Sequence, residues 1–85
     1  MLSRNENEIM SAVYSLCDGT DGCLISTLDI LSILPAKKKF SPEAIDDILN
    51  NLMRDGYFDL ITSERKRKKM YVISLKENGF AFKRT

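Results

Sequence analysis

The residues of this sequence that are best suited to chemistry form one run of five consecutive cations: Arg65, Lys66, Arg67, Lys68 and Lys69. Adjacent like charges repel one another, so the run adds nothing obvious to the stability of a fold. A phosphate backbone would relieve this repulsion and would release its own counterions on binding. The run therefore predicts contact with phosphate groups, and the alternative interpretation is a solvated tip that keeps the protein soluble.

The distribution of charge singles out the same part of the chain. The net charge is only +1, but residues 1–60 carry five basic and ten acidic side chains, whereas residues 61–85 carry eight basic and two acidic ones. Such an asymmetry favours an anionic partner for the basic part. A second basic cluster precedes the third predicted helix and could contact the same partner or form a solvated loop. It comprises Lys37, Lys38 and Lys39.

Residues suited to catalysis or metal binding are scarce. The chain has no histidine, which excludes histidine-based acid–base catalysis and the Ser-His-Asp arrangement. Its four glycines are scattered, so they form no phosphate-binding loop. Asp46 and Asp47 are neighbours in sequence, and adjacent side chains on a helix point in different directions. We therefore predict a protein that is not an enzyme and that has no catalytic residue, metal site or cofactor.

The two cysteines, Cys17 and Cys23, are separated by five residues. This spacing matches neither a redox motif nor a zinc half-site. We expect two reduced thiols near the core, because a free cysteine behaves as a small apolar residue. The alternative is a local disulfide. No apolar run approaches the ~20 residues of a membrane helix, and the N-terminal segment lacks the features of a secretory signal, so we expect a soluble, cytoplasmic protein without membrane contact.

Apolar periodicity and capping residues predict two helices in the first part of the chain. The first covers 5–17 and has one apolar stripe of helical spacing. A short apolar run at 23–25 is consistent with a brief strand, after which Ser26 can cap a second helix over 27–34. The predicted buried side of this second helix comprises Leu28, Ile30, Leu31, Ile33 and Leu34.

A third helix is predicted over 42–54 by the strongest local signals of the sequence. Ser41 is its N-cap, Pro42 fits the first helical position, and Gly56 can adopt the left-handed conformation that ends many helices. The predicted core combines the apolar face of this helix with residues of the other elements. It comprises Ile9, Val13, Leu31, Ile45, Ile48, Leu49, Leu52 and Ile73.

The C-terminal part has the pattern of a β-hairpin. Two runs rich in aromatic and β-branched residues predict strands within 57–74, and the polar segment 64–68 between them predicts the tip. Apolar and polar residues alternate in the second run, so one face of that strand can be buried. The tail over 76–84 can add a short helix, with Phe80 and Phe82 available for packing.

Three segments of the chain carry a family resemblance. Residues 41–43, Ser-Pro-Glu, open the third helix. Residues 52–58 include the pattern leucine, x, x, x, glycine, bulky apolar residue. Residues 71–79 follow the pattern tyrosine, x, x, x, leucine, threonine, glutamate, x, glycine, except that Lys76 stands where threonine is usual. In this order and spacing the segments resemble the opening of the recognition helix, the exit into the wing and the return strand of the winged helix-turn-helix family.

The resemblance implies an α+β, mainly α fold in one domain that spans 1–85. This fold has a three-helix core, a C-terminal β-hairpin wing and a short C-terminal helix. The resemblance also implies a DNA-binding module, and we favour a small transcriptional regulator with double-stranded DNA as its partner. The residues expected to contact DNA are Lys37, Lys38, Lys39, Ser41, Asn50, Asn51, Arg65, Lys66, Arg67, Lys68 and Lys69, of which Asn50 and Asn51 are the candidate base readers.

The third helix also supports an alternative. Its expected outward positions are Glu43, Asp46, Asp47, Asn50, Asn51 and Arg54, and residues 43–55 contain four acidic side chains and one basic one. Such a face repels phosphates, and base readers are more often arginine, lysine, asparagine or glutamine. The alternative function is therefore a protein–protein interaction module that uses this acidic helix and binds no DNA. Either function is compatible with a homodimer or with a protein partner.

Overall fold

The elements of the fold follow the predicted order. The computed structural model describes residues 2–17, 22–34, 40–65 and 68–82. The elements are α1 (Arg4–Cys17), β1 (Cys23–Ser26), α2 (Thr27–Ile33), α3 (Pro42–Arg54), β2 (Phe58–Arg65), β3 (Lys68–Leu75) and α4 (Glu77–Phe82). Within these residues helix outweighs strand, and the strands form one antiparallel sheet, so the predicted winged-helix type of α+β fold is confirmed.

Serine side chains define where the helices begin. The Ser26 hydroxyl accepts the backbone N–H of Asp29, and the Asp29 carboxylate accepts the backbone N–H of Ser26, which together make a capping box at α2. Ser3 and Glu6 make the same reciprocal pair at α1. The Ser41 hydroxyl accepts a backbone N–H from the first turn of α3. These local bonds explain why the three helix bounds predicted from sequence agree with the structure to within one residue.

Strand β3 lies at the centre of the three-stranded sheet, in the order β1-β3-β2. Tyr71 of β3 is opposite Ile25 of β1, and the next residue, Val72, is opposite both Leu24 of β1 and Ile61 of β2. Successive residues of a strand point to opposite faces. One face of the sheet therefore packs on the helices, and the other faces away from them.

The core forms between the helices and the inner face of the sheet. The buried apolar residues are Ile9, Met10, Ala12, Val13, Cys17, Cys23, Ile25, Ile30, Leu34, Ile45, Leu49, Leu52, Phe58, Tyr71 and Ile73. Six of the eight predicted core residues are among them. The other two, Leu31 and Ile48, are half-buried and pack against this core instead of lying inside it.

The predicted buried side of α2 is wrong in part. Ile30 and Leu34 are buried, but Leu28 and Ile33 are exposed. This helix has seven residues, which is about two turns, and it presents only a narrow stripe to the core. Phe80 of α4 is likewise exposed instead of packed.

The expectation of reduced thiols is also wrong, because Cys17 and Cys23 form a disulfide. Cys17 is the last residue of α1 and Cys23 is the first residue of β1, and their Cα atoms are 5.4 Å apart, within the range that a disulfide can bridge. The tertiary contact between the end of the helix and the start of the strand creates this proximity. The bond ties the short edge strand β1 to the helical core.

We expect reduction of the disulfide to lower the free energy of unfolding. The sequence separation is 6, and closing so short a loop removes chain entropy from the unfolded state worth about 2 kcal/mol. Urea unfolding with and without a phosphine reductant measures the difference. The double variant Cys17→Ala, Cys23→Ala is the control and should not respond to the reductant. Identical midpoints for the native chain in both conditions would contradict the expectation.

We expect Leu49→Ala to destabilise the protein by about 2–5 kcal/mol, because it removes a large side chain from a close-packed core. Leu49 is fully buried on α3, whereas Ile61 of β2 is 66% exposed. The matched control Ile61→Ala should therefore shift the thermal midpoint only slightly. Equal midpoints for the two variants would show that α3 does not pack as described.

Candidate nucleic-acid interface

The hairpin carries the run of cations at its far end. Strands β2 and β3 pair from Phe58 opposite Leu75 to Arg65 opposite Lys68. The strands therefore extend further than the sequence predicted, since Arg65 and Lys68 belong to the ladder and not to a polar tip that begins at residue 64. Lys66 and Arg67 lie outside the described residues.

The near end of the hairpin is joined to the end of α3. Gly56 has a φ of 84°, the left-handed conformation predicted for it, and it turns the chain out of the helix. The Tyr57 carbonyl then accepts the backbone N–H of Lys76 at 3.0 Å. The Asn78 side chain donates to the Asp55 carbonyl, also at 3.0 Å. The two sequence segments that resemble a winged helix, 52–58 and 71–79, therefore contact each other directly.

Lys69 connects the hairpin to α3. Its ammonium Nζ lies 3.1 Å from Oδ1 of Asp46, and the Tyr71 hydroxyl donates to the same oxygen at 3.3 Å. The hydrogen bond that Lys69 donates to Asp46 raises the pKa of Lys69 above its usual value, and burial raises the pKa of Tyr71. Asp46 was expected to face outward. That expectation is wrong, because this side of α3 faces β3.

The remaining polar residues of α3 have local partners as well. Asn50 donates its side-chain amide to the backbone carbonyl of Asp46 at 2.8 Å, and Arg54 donates to the side-chain oxygen of Asn51 at 3.0 Å. Glu43 and Asp47 are exposed. The outer face of α3 is therefore acidic near its beginning and carries an Asn51–Arg54 pair near its end.

The structure brings only part of the predicted DNA-contacting set together. Ser41 caps α3 at its N-terminus, and Lys69 lies against the same helix. The backbones of Arg65 and Lys68 continue the ladder beyond Lys69. Five of the predicted residues lie outside the described residues: Lys37, Lys38, Lys39, Lys66 and Arg67.

A row of apolar side chains crosses the outer face of the sheet, and sequence reasoning did not single it out. Leu24 and Ile61 flank the half-buried Val72 in register and are 62% and 66% exposed. The alternation of side-chain direction along a strand could have indicated this row. A residue next to one that points into the core must itself point to the outer face of the sheet. Single exposed apolar residues are ordinary, but three in contact across a sheet form a surface that a protein partner could cover.

The described part of the chain lacks two further features. No group of three or more metal-binding side chains occurs there. None of the helices described is long and apolar enough to cross a bilayer.

Comparison with known proteins adds one solved structure. No family model matches the chain, and no curated protein matches its sequence. This chain is similar to a solved structure of the type III plasmid segregation protein TubR, with 15% sequence identity and a TM-score of 0.44. The similar region covers 99% of this chain and 86% of the TubR chain.

We expect Gly79→Ala to destabilise the protein, although alanine is the better helix former. A Cβ atom at this position of α4 would overlap the Tyr57 carbonyl oxygen, and it would lie 3.1 Å from Cδ2 of Leu75. The backbone at the near end of the hairpin would have to move, which costs about 1–3 kcal/mol for an overpacked site. Thermal unfolding measures the loss, with the exposed neighbour Phe80→Ala as the control. A midpoint equal to or above that of the native chain would contradict this packing.

Proposed function

We propose that this protein is a DNA-binding module that contacts phosphates through its basic wing, and that it serves as a small transcriptional regulator. The observation that carries the proposal is the contact of Lys69 with Asp46. Asp46 lies five residues after Ser41, the N-cap of α3, which is about 7–8 Å along a helix. The last member of the run of cations therefore lies beside the N-terminal half of α3.

The second basic cluster supports the same surface. Lys37, Lys38 and Lys39 come immediately before Phe40 and Ser41 in the sequence. In the sequence, Lys39 is two residues from Ser41, the N-cap of the helix that Lys69 contacts. We infer that this cluster and the run that ends at Lys69 neutralise phosphate groups of the same DNA backbone.

The acidic outer face of α3 favours contact with the DNA backbone over extensive base reading. Glu43 and Asp47 are exposed. An ionised carboxylate only accepts hydrogen bonds, so it cannot pair with the acceptor oxygens of phosphates or bases. Asn50, Asn51 and Arg54 are the residues of α3 whose chemistry fits base edges. To contact a base, Asn50 would exchange its bond with the Asp46 carbonyl, and Asn51 and Arg54 would exchange their mutual hydrogen bond. We infer binding with modest sequence preference.

A binding function needs no cofactor, and we propose no enzymatic activity. A regulator built from this fold alone would act as a dimer, within a complex or by covering a DNA site. We propose a cytoplasmic location for this role. Thiols are kept reduced in the cytoplasm, so the bond between Cys17 and Cys23 would exchange there with cellular dithiols.

A protein–protein interaction module without DNA binding is the second candidate, and the apolar row of Leu24, Val72 and Ile61 favours it. A homodimer or another protein could cover this row, and the acidic face of α3 could meet a basic partner. Sedimentation of the native chain and of Ile61→Lys tests this candidate. The interaction module would be supported over the DNA-binding module if the native chain forms an assembly, the Ile61→Lys variant does not, and the native chain binds no DNA.

We expect the native protein to bind random-sequence duplex DNA with an affinity that falls steeply with salt. A wing of this size reaches about 3–4 phosphates, so the slope of log K against log salt should be roughly −3 to −4. Replacing Arg65, Lys66, Arg67 and Lys68 with alanine should flatten the slope and weaken binding to all sequences alike. Fluorescence anisotropy of a labelled duplex at several salt concentrations measures both effects.

Lys76→Ala is the control for this experiment. Lys76 is a cation of the same hairpin, but it lies at the near end and pairs with Asp59 at 3.1 Å. Its loss should leave the slope nearly unchanged. If the native protein shows no binding at about 50 mM salt, where phosphate contacts are strong, the DNA-binding proposal is wrong.

A further inference from the structure

The Asp46–Lys69 pair differs from an ordinary surface ion pair. The Asp46 side chain is 25% exposed and the Lys69 side chain 39%, whereas the two members of the Lys76–Asp59 pair are 53% and 65% exposed. Partial withdrawal from water strengthens the attraction between the charges and reduces its screening by salt. The attraction within this pair is therefore screened less by salt than the attraction within the Lys76–Asp59 pair.

Tyr71 holds the carboxylate in place. Its ring is fully buried in the core, and its hydroxyl donates to Oδ1 of Asp46, the oxygen that also faces Lys69. A buried tyrosine hydroxyl needs hydrogen-bond partners, and the side chains of Asp46 and Thr27 both serve this one. The Asp46 carboxylate is thus positioned by Tyr71 of β3, which is two residues from Lys69 on the same strand.

A second carboxylate adds to the same effect. Glu64 of β2 is the cross-strand neighbour of Lys69. Its negative charge contributes, after Asp46 and Tyr71, to the raised pKa of Lys69. Lys69 is the last member of the run of cations, and its charge is compensated by Asp46 of α3 and by Glu64 of β2.

We propose that Asp46 is a positioning residue that acts as a built-in counterion, withholding Lys69 from DNA phosphates and thereby limiting non-specific DNA affinity. The inference depends on the proposed DNA-binding function. A neutralised ion pair has no net charge with which to displace counterions from DNA, so it adds no phosphate contact to the salt dependence. A phosphate can recruit Lys69 only by displacing Asp46.

The test compares two variants that remove the same charge from neighbouring positions of α3. Asp46→Asn keeps an oxygen that accepts the Tyr71 hydroxyl but releases Lys69. Asp47→Asn removes an exposed carboxylate that faces away from the pair. We expect Asp46→Asn to steepen the salt slope by about 0.9, which is one additional phosphate contact, and to tighten binding several-fold to about tenfold at about 50 mM salt. Asp47→Asn should tighten binding slightly without changing the slope.

The double variant Asp46→Asn, Lys69→Met assigns the effect to Lys69. It should return the slope to the native value, because the released ammonium is gone. If Asp46→Asn and Asp47→Asn give the same slope, Asp46 contributes only general negative charge and the proposal is wrong. Circular dichroism of each variant checks that the fold is retained, and Tyr71→Phe offers a second route, since loosening the carboxylate should also steepen the slope.

A measurement without DNA separates failure of this inference from failure of the DNA-binding function. Acetylation of lysines with a succinimidyl ester, followed by mass spectrometry, reports how freely each amine reacts. Lys69 should react more slowly than Lys76 in the native protein and should reach a similar rate in Asp46→Asn. If Lys69 reacts equally fast in both proteins, the counterion role is overturned whether or not the protein binds DNA.

Discussion

The burial of Tyr71 in the central strand is the constraint on which the arrangement of the wing depends. Strand β3 is hydrogen-bonded on both sides, and its inner face places Tyr71 and Ile73 in the core. An aromatic ring in that position contributes a large apolar area, but its hydroxyl must also be satisfied. Asp46 of α3 accepts that hydroxyl, so the packing of the core determines how the hairpin sits against the helix.

Two further connections join the sheet to the helices, one at β1 and one at the near end of the hairpin. At one edge, the bond between Cys17 and Cys23 ties β1 to the end of α1. At the near end of the hairpin, the Tyr57 carbonyl meets the backbone of Lys76 and the Cα of Gly79 packs beside it. Toward the far end, within the residues that the structure describes, Lys69 and Asp46 connect the hairpin to α3.

Acidic and basic side chains are concentrated in different parts of the sequence, and the fold brings some of them together. The first 60 residues are acidic and the remainder is basic. The contact of α3 with β3 places an aspartate of the first group beside a lysine of the second. Such internal neutralisation stabilises the free protein and lowers the attraction that a phosphate backbone can exert, because each compensated cation releases no counterion from DNA. Under the proposed function, affinity for DNA and the docking of the hairpin against α3 are therefore coupled through one carboxylate.

The sequence by itself determined the local features of this protein. The bounds of α1, α2 and α3 depend on Ser3, Ser26 and Ser41 and on apolar periodicity, and these signals act over a few residues. The left-handed Gly56 and the alternation of β3 are local in the same sense. Only the tertiary structure decided which side of a helix meets another element. It exposed Leu28 and Ile33, turned Asp46 toward β3 and joined Cys17 to Cys23, because each of these outcomes depends on contacts between residues that no local pattern relates.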